Sequence, residues 1–87
     1  MSISIRAATA GDIGLIHELI LALADYEKLR HEVRADPAML ERHLFGARPA
    51  AKVLIAENSG AAVGFALFFH TFSTFEGRPG LYLEDLY

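Results

Sequence analysis

The 87-residue chain has no cysteine. That excludes a disulfide-stapled scaffold, a thiolate-ligated zinc site, an iron–sulfur cluster and a cysteine nucleophile. It suits a reducing compartment, and a cytoplasmic protein is expected. A positive excess is also missing: 8 Lys and Arg stand against 11 Asp and Glu, a formal net charge of −3. The electrostatic footprint of a nucleic-acid binder is therefore absent, and no nucleic-acid partner is expected. No apolar run approaches the roughly 18 residues that a membrane span needs, and no basic leader precedes the first elements, so no membrane partner is expected either. Repeats, low-complexity tracts and Ser/Pro linkers are lacking as well, which leaves one domain over residues 1–87. What is present is apolar: 53% hydrophobic residues against 22% charged, a balance that excludes disorder. A chain this short buries only about 60–65% of its unfolded surface, so so much apolar content asks for a partner surface.

The pattern predicts strand, helix, helix, strand, strand, strand, a mixed α/β arrangement. Ile3-Ser4-Ile5-Arg6 alternates as a strand does. Thr9-Ala10-Gly11-Asp12 is a shortened capping box, followed by Ile13, Ile16, Leu19, Ile20 and Leu23 at helical spacing, for a helix reaching about Lys28. Asp36-Pro37 starts a second helix: a carboxylate cap, then a proline where the missing N–H costs nothing. Met39, Leu40 and Leu44 are its expected buried side, and Gly46 its expected left-handed terminator. Val53 to Glu57 reads as a strand closed by the hairpin signal Asn58-Ser59-Gly60. Val63 to Phe72 is a long strand whose Phe65, Phe68, Phe69 and Phe72 read as core, flanked as they are by apolar rather than basic neighbours. A turn-rich loop, Ser73 to Gly80, leads to a last strand from Leu81. The chain stops at Tyr87 inside that apolar strand, so further sequence or another chain is expected to complete the sheet.

The chemically suggestive residues are few. Glu84 and Asp85 are adjacent acids within Leu81–Tyr87. Strand neighbours point to opposite faces, so they are not expected to act as a paired dyad on one face. One reading leaves one of them solvated and has the other cap a loop; the other makes one a cleft carboxylate whose pKa is raised by apolar walls and which serves as a general base. Tyr26 and Glu27, at the end of the first helix, are either a surface pair or an acidic, aromatic rim for a cation. His17, His31, His43 and His70 fall in separate elements, and no metal site is expected from them. Gly77-Arg78-Pro79-Gly80 is a turn and not a phosphate cradle, because Pro79 has no N–H and a strand follows.

Ile5-Arg6-Ala7-Ala8-Thr9 with Asp12, Ala24-Asp25-Tyr26-Glu27, Val63-Gly64-Phe65-Ala66 and above all Leu81-Tyr82-Leu83-Glu84-Asp85-Leu86-Tyr87 together resemble the N-terminal half of a GNAT-superfamily N-acetyltransferase. The resemblance is greatest to the diamine (spermidine/spermine) acetyltransferase subgroup. It implies the N-terminal portion of a GNAT-like α-β-α sandwich, a partial domain ending within its fourth strand. It further implies transfer of acetyl from acetyl-CoA, as cosubstrate and without metal, to a small amine: a polyamine, a diamine or an amino-acid side-chain amine. Glu84 matches the acid that assists deprotonation of the amine through water. Tyr26 and Glu27, with Glu84, match positions lining the amine site. Leu86 and Tyr87 match the start of the segment whose backbone receives the acetyl and pantetheine part of acetyl-CoA. The family's Arg/Gln-x-x-Gly-x-Gly/Ala pyrophosphate loop does not occur in the 87 residues, and Ser73 to Gly80 lacks the acidic, tryptophan-bearing segment of the polyamine enzymes.

The expectation is an N-acetyltransferase of small amines, inactive as the 87 residues alone, working as a homodimer or through pairing with a C-terminal half. The alternative is a non-catalytic interaction module that pairs through an exposed sheet edge.

Overall fold

A computed structural model describes residues 2–87. Strand β1 (Ile3–Ala7) is followed by a single 3-10 turn at Ala10–Asp12, helix α1 (Ile13–Tyr26) and a second 3-10 turn at Arg30–Glu32. Helix α2 (Pro37–Phe45) and strands β2 (Lys52–Asn58), β3 (Ala61–Ser73) and β4 (Arg78–Leu86) complete the order. The four strands form one antiparallel sheet in the order β1-β2-β3-β4. The expected sequence of elements is the one observed.

Local chemistry starts each helix. The Asp12 carboxylate accepts hydrogen bonds from the Thr9 backbone N–H at 2.8 Å and from the two terminal guanidinium nitrogens of Arg6 at 2.8 and 2.9 Å. Arg6 also reaches Glu57 at 3.3 Å, so one cation ties β1, β2 and the entrance of α1 together. These contacts hold the Asp12 carboxyl well below the usual carboxylate range, the Arg6 hydrogen bonds being the largest cause. Asp36 caps α2 as expected, accepting the Met39 N–H at 2.9 Å. The β2–β3 hairpin turns at Ser59 and Gly60, with φ of 52° and 87°, the positive pair that a type I′ turn demands.

Both helices cover the same face of the sheet. Ile16 and Leu19 of α1 and Leu40 and Leu44 of α2 meet Val53, Ile55 and Phe65 in one core. The described residues thus supply one helical layer and the sheet of the expected sandwich. The opposite face carries Ile5, Leu54 and Leu86, all exposed.

Four local expectations are corrected. Gly46 is extended (φ −76°, ψ −172°) rather than left-handed; a Cβ there would meet the Arg42 carbonyl, so space and not handedness requires glycine. Met39 faces solvent, leaving Leu40 and Leu44 as the buried side of α2. Of the phenylalanines on β3, Phe65 is core, Phe68 and Phe69 are half-buried, and Phe72 is 64% exposed. The reason lies in the ladder: β2 pairs with β3 only as far as Phe68, and beyond it β3 and β4 run on as a two-stranded arm outside the helical layer. For the same reason β4 begins at Arg78, three residues before the expected Leu81, since Arg78, Pro79 and Gly80 pair with Ser73, Phe72 and Thr71.

Candidate functional site

The C-terminal end of α1 is closed tightly. Glu27 N–H donates to the Leu23 carbonyl, Lys28 N–H to Asp25 and Leu29 N–H to Ala24, at 3.0, 3.0 and 2.7 Å. Lys28 takes a φ of 60°, which reverses the chain and sends residues 29–35 back along the helix. Arg30 grips Asp25 at 2.6 Å, and His17 Nε2 donates to the Ala35 carbonyl at 3.2 Å. That returning segment is therefore fastened at both ends, and His17 is a half-buried tether.

The facing wall is β4, and its geometry departs from a regular strand. Leu67 pairs with Asp85, but the next residue of β3, Phe68, pairs with Leu83. Two steps on β4 answer one on β3, so Glu84 is the extra residue of a β-bulge. The expectation that Glu84 and Asp85 point to opposite faces fails here, because the bulge breaks the alternation on which it rested. Both acids line one open cleft of about 490 Å³. Its apolar wall includes Ile20, Leu23, Ala24, Leu29, Val33 and Ala35, and its charged lining is Glu27, Glu32, Arg34, Glu84 and Asp85.

Electrostatics single out Asp85. It is half-buried, and its pKa is pushed up first by that burial, then by the negative charges of Glu84 and Glu27. A cation entering the cleft would relieve this strain, since it removes the like-charge repulsion that disfavours ionised Asp85. In the sequence Asp85 is only one of two neighbouring acids; the long-range ladder is what brings it into a cleft with Glu84 and Glu27.

The remaining candidates are placed as follows. Tyr26 is 81% exposed and lies outside the cleft lining. Leu86 and Tyr87 lie just past the bulge and line a smaller cavity of about 170 Å³ with Ile5, Leu54, Ala56, Phe65 and Ala66. Tyr87 exchanges both backbone hydrogen bonds with Phe65, at 3.0 and 3.1 Å. In an antiparallel ladder the neighbouring residue then turns its N–H and C=O outward, so those of Leu86 face the open edge of β4. Gly64 permits this pairing: a Cβ on it would meet the Tyr87 carbonyl oxygen. Among the described residues no group of three or more His, Cys, Asp or Glu is placed to hold a metal ion.

No family model matches the chain. In sequence it is 39% identical over 93 residues to the thialysine N-epsilon-acetyltransferase of Bos taurus, covering 98% of this chain and 54% of that protein. It is 36% identical over 94 residues to the enzyme of the same name from Mus musculus, covering 99% and 55%. It is 38% identical over 90 residues to the human spermidine/spermine N(1)-acetyltransferase-like protein 1, covering 95% of this chain and 13% of that one. The chain spans about half the length of the thialysine enzymes it matches. In fold it superposes on a ribosomal-protein-alanine N-acetyltransferase from Brucella melitensis biovar Abortus 2308 with a TM-score of 0.75 at 21% identity, covering all of this chain and 56% of that one. An aminoglycoside acetyltransferase from an uncultured soil sample, crystallised with sisomicin, gives 0.76 at 18% identity, covering 98% and 55%. In sequence, then, these residues are similar to about half of the thialysine N-epsilon-acetyltransferases, and their fold is the one seen over about half of the solved acetyltransferases.

Proposed function

We propose that the chain is the amine-receiving half of an acetyl-CoA-dependent N-acetyltransferase acting on small amines. The observation that carries this reading is the β4 bulge, which sets Glu84 beside Asp85 in a cleft also lined by Glu27. An amine is protonated at neutral pH and so is no nucleophile. Three carboxylates against an apolar wall attract such a cation. Glu84, exposed at the bulge, is suited to take its proton, directly or through water, while Asp85 and Glu27 hold the nitrogen. The freed lone pair then attacks the acetyl carbonyl, and the thiolate of CoA leaves. The outward-facing peptide of Leu86, two residues along the same strand, is placed to bind the acetyl and pantetheine end, and its N–H to polarise the thioester carbonyl. Tyr87 supports that edge through its ladder bonds to Phe65. A cytoplasmic setting fits this chemistry, and the open edge of β4 is where a later strand of the same protein or a second copy would pair.

The test is thiol release from acetyl-CoA by the full-length protein across a panel of diamines, polyamines and amino acids. Turnover with one class and a fall of about 10²-fold or more in Glu84→Gln is expected, as for loss of a general base. No turnover with any amine, or an E84Q variant as fast as wild type along the whole pH profile, would overturn the reading.

A further inference from the structure

We propose that His17 is a positioning residue for the amine site: by holding the segment that returns from α1, it fixes one wall of the cleft and so sets the affinity for the amine without touching it. The inference rests on the amine-binding reading of the cleft and adds a residue outside its lining.

The walls of the cleft differ in firmness. Glu84 and Asp85 stand on β4, which is laddered to β3, and Ile20 and Ala24 stand on α1. Leu29 and the run from Glu32 to Ala35 belong to the returning segment. Little apolar burial holds that segment: residues 28–32 and Arg34 are exposed, and only Val33 and Ala35 are half-buried. A stretch with so few buried contacts opens more readily than the elements beside it. Its hold therefore depends on polar bonds.

Two side-chain clasps supply them. The Arg30–Asp25 pair is 57% and 50% exposed on its two sides, and an ion pair so open to water adds little. The His17 bond is half-buried, where water competes less for the donor. It ends on Ala35, itself a lining residue, at the end of the segment away from Arg30. His17, Ile20 and Ala24 follow at i, i+3 and i+7 on one stripe of α1, so the imidazole sits one turn before the helix's own share of the wall. A carbonyl can only accept, which assigns the ring proton to Nε2.

Cutting this tether lets the returning segment swing away from the acids. Water then enters beside the carboxylates and weakens their attraction for an ammonium. Glu84 keeps its place on the bulge, so proton removal from an amine already bound is untouched. The loss falls on KM for the amine and spares kcat.

The experiment uses the full-length protein with spermidine, 1,5-diaminopentane and lysine, read on whichever wild type turns over fastest. His17→Leu is expected to raise the amine KM about 2–10-fold, the worth of one hydrogen bond, with kcat and the KM for acetyl-CoA unchanged. His17→Gln, whose amide nitrogen reaches about as far as Nε2, should restore the wild-type KM. Where H17L does not fold, His17→Asn, whose amide falls short of Ala35, takes its place. Amide exchange at Glu32 and Val33, which donate to Leu29 and Arg30 at 2.9 and 3.1 Å, should quicken in H17L and stay at the wild-type rate in H17Q. Nitrogen-15 spectra of wild type should show the neutral His17 ring protonated at Nε2. A wild-type amine KM in the donor-less variant, a loss shared by kcat and both KM values without rescue by glutamine, or a ring protonated at Nδ1 overturns the role of His17 and leaves the amine site standing. A wild type that acetylates no amine at all removes the site and this inference together.

Discussion

Replacing Asp85 with asparagine should move stability and substrate affinity in opposite directions. The side chain is half-buried and faces two other acids, and both facts raise its pKa above that of the unfolded chain, about 3.9. A carboxyl whose folded pKa is raised binds its proton more tightly in the folded state. Its ionisation therefore costs stability as pH rises from the unfolded value through the folded one. Asp85→Asn keeps the shape and removes that cost. At pH 7 the variant should melt above wild type, and below about pH 3.9, where both states of wild type are protonated, the gap should close. For a domain of this size each 1 kcal/mol is worth about 4–8 °C in Tm, so even a modest relief is readable. The amine site should suffer, because a neutral amide no longer accepts a charge-assisted bond from an ammonium. That loss is worth about 1.5–3 kcal/mol, or roughly 10–100-fold in KM. Thermal melts from pH 3 to 8, beside steady-state kinetics on the full-length protein, measure both. A variant that melts below wild type at pH 7, or whose melting gap is the same at every pH, would refute the electrostatic account of Asp85.

Two further predictions concern what positions the site. Asp12→Ala removes the acceptor for Thr9 and the partner of Arg6, and loss of such a cap should cost about 0.5–2 kcal/mol. Since the Asp12 pKa is depressed in the folded state, its contribution is present above about pH 3.9 and lost on acidification, so variant and wild type should converge in acid; equal gaps at pH 7 and pH 2 would count against it. Gly64→Ala drives a Cβ into the Tyr87 carbonyl, which should destabilise by about 1–3 kcal/mol and loosen the end of β4. Amide hydrogen exchange at Tyr87 should quicken, and unchanged protection there would show that the close approach is unimportant.

Much of this molecule is legible one residue at a time. Asp36-Pro37 carries its own instruction, a carboxylate that reaches Met39 N–H and a ring that needs no partner, and the helix begins there. Asn58-Ser59-Gly60 likewise sets its own turn. The spacing of Ile16 and Leu19 marks the buried side of α1 without reference to the rest of the chain. Features that depend on partners distant in sequence are not legible in this way. Nothing in Leu83-Glu84-Asp85 announces a bulge, since it arises only when β4 is laid against β3, and with it go both the shared face of the two acids and the importance of Asp85. The exposure of Phe72 depends on where β2 ends, and the extended Gly46 on how close the last turn of α2 lies. The place of Glu32 and Arg34 in the cleft depends on the turn at Lys28, which brings their segment back along α1.

The central claim is that an amine is received between α1 and the bulge of β4, and a crystal structure of the full-length protein with a bound amine tests it most directly. The account predicts the nitrogen within hydrogen-bonding distance, about 2.7–3.2 Å, of the Glu84 or Asp85 carboxylate, on the side of the strand that faces Glu27. An amine seated elsewhere, or a regular β4 with Glu84 and Asp85 on opposite faces, would contradict it.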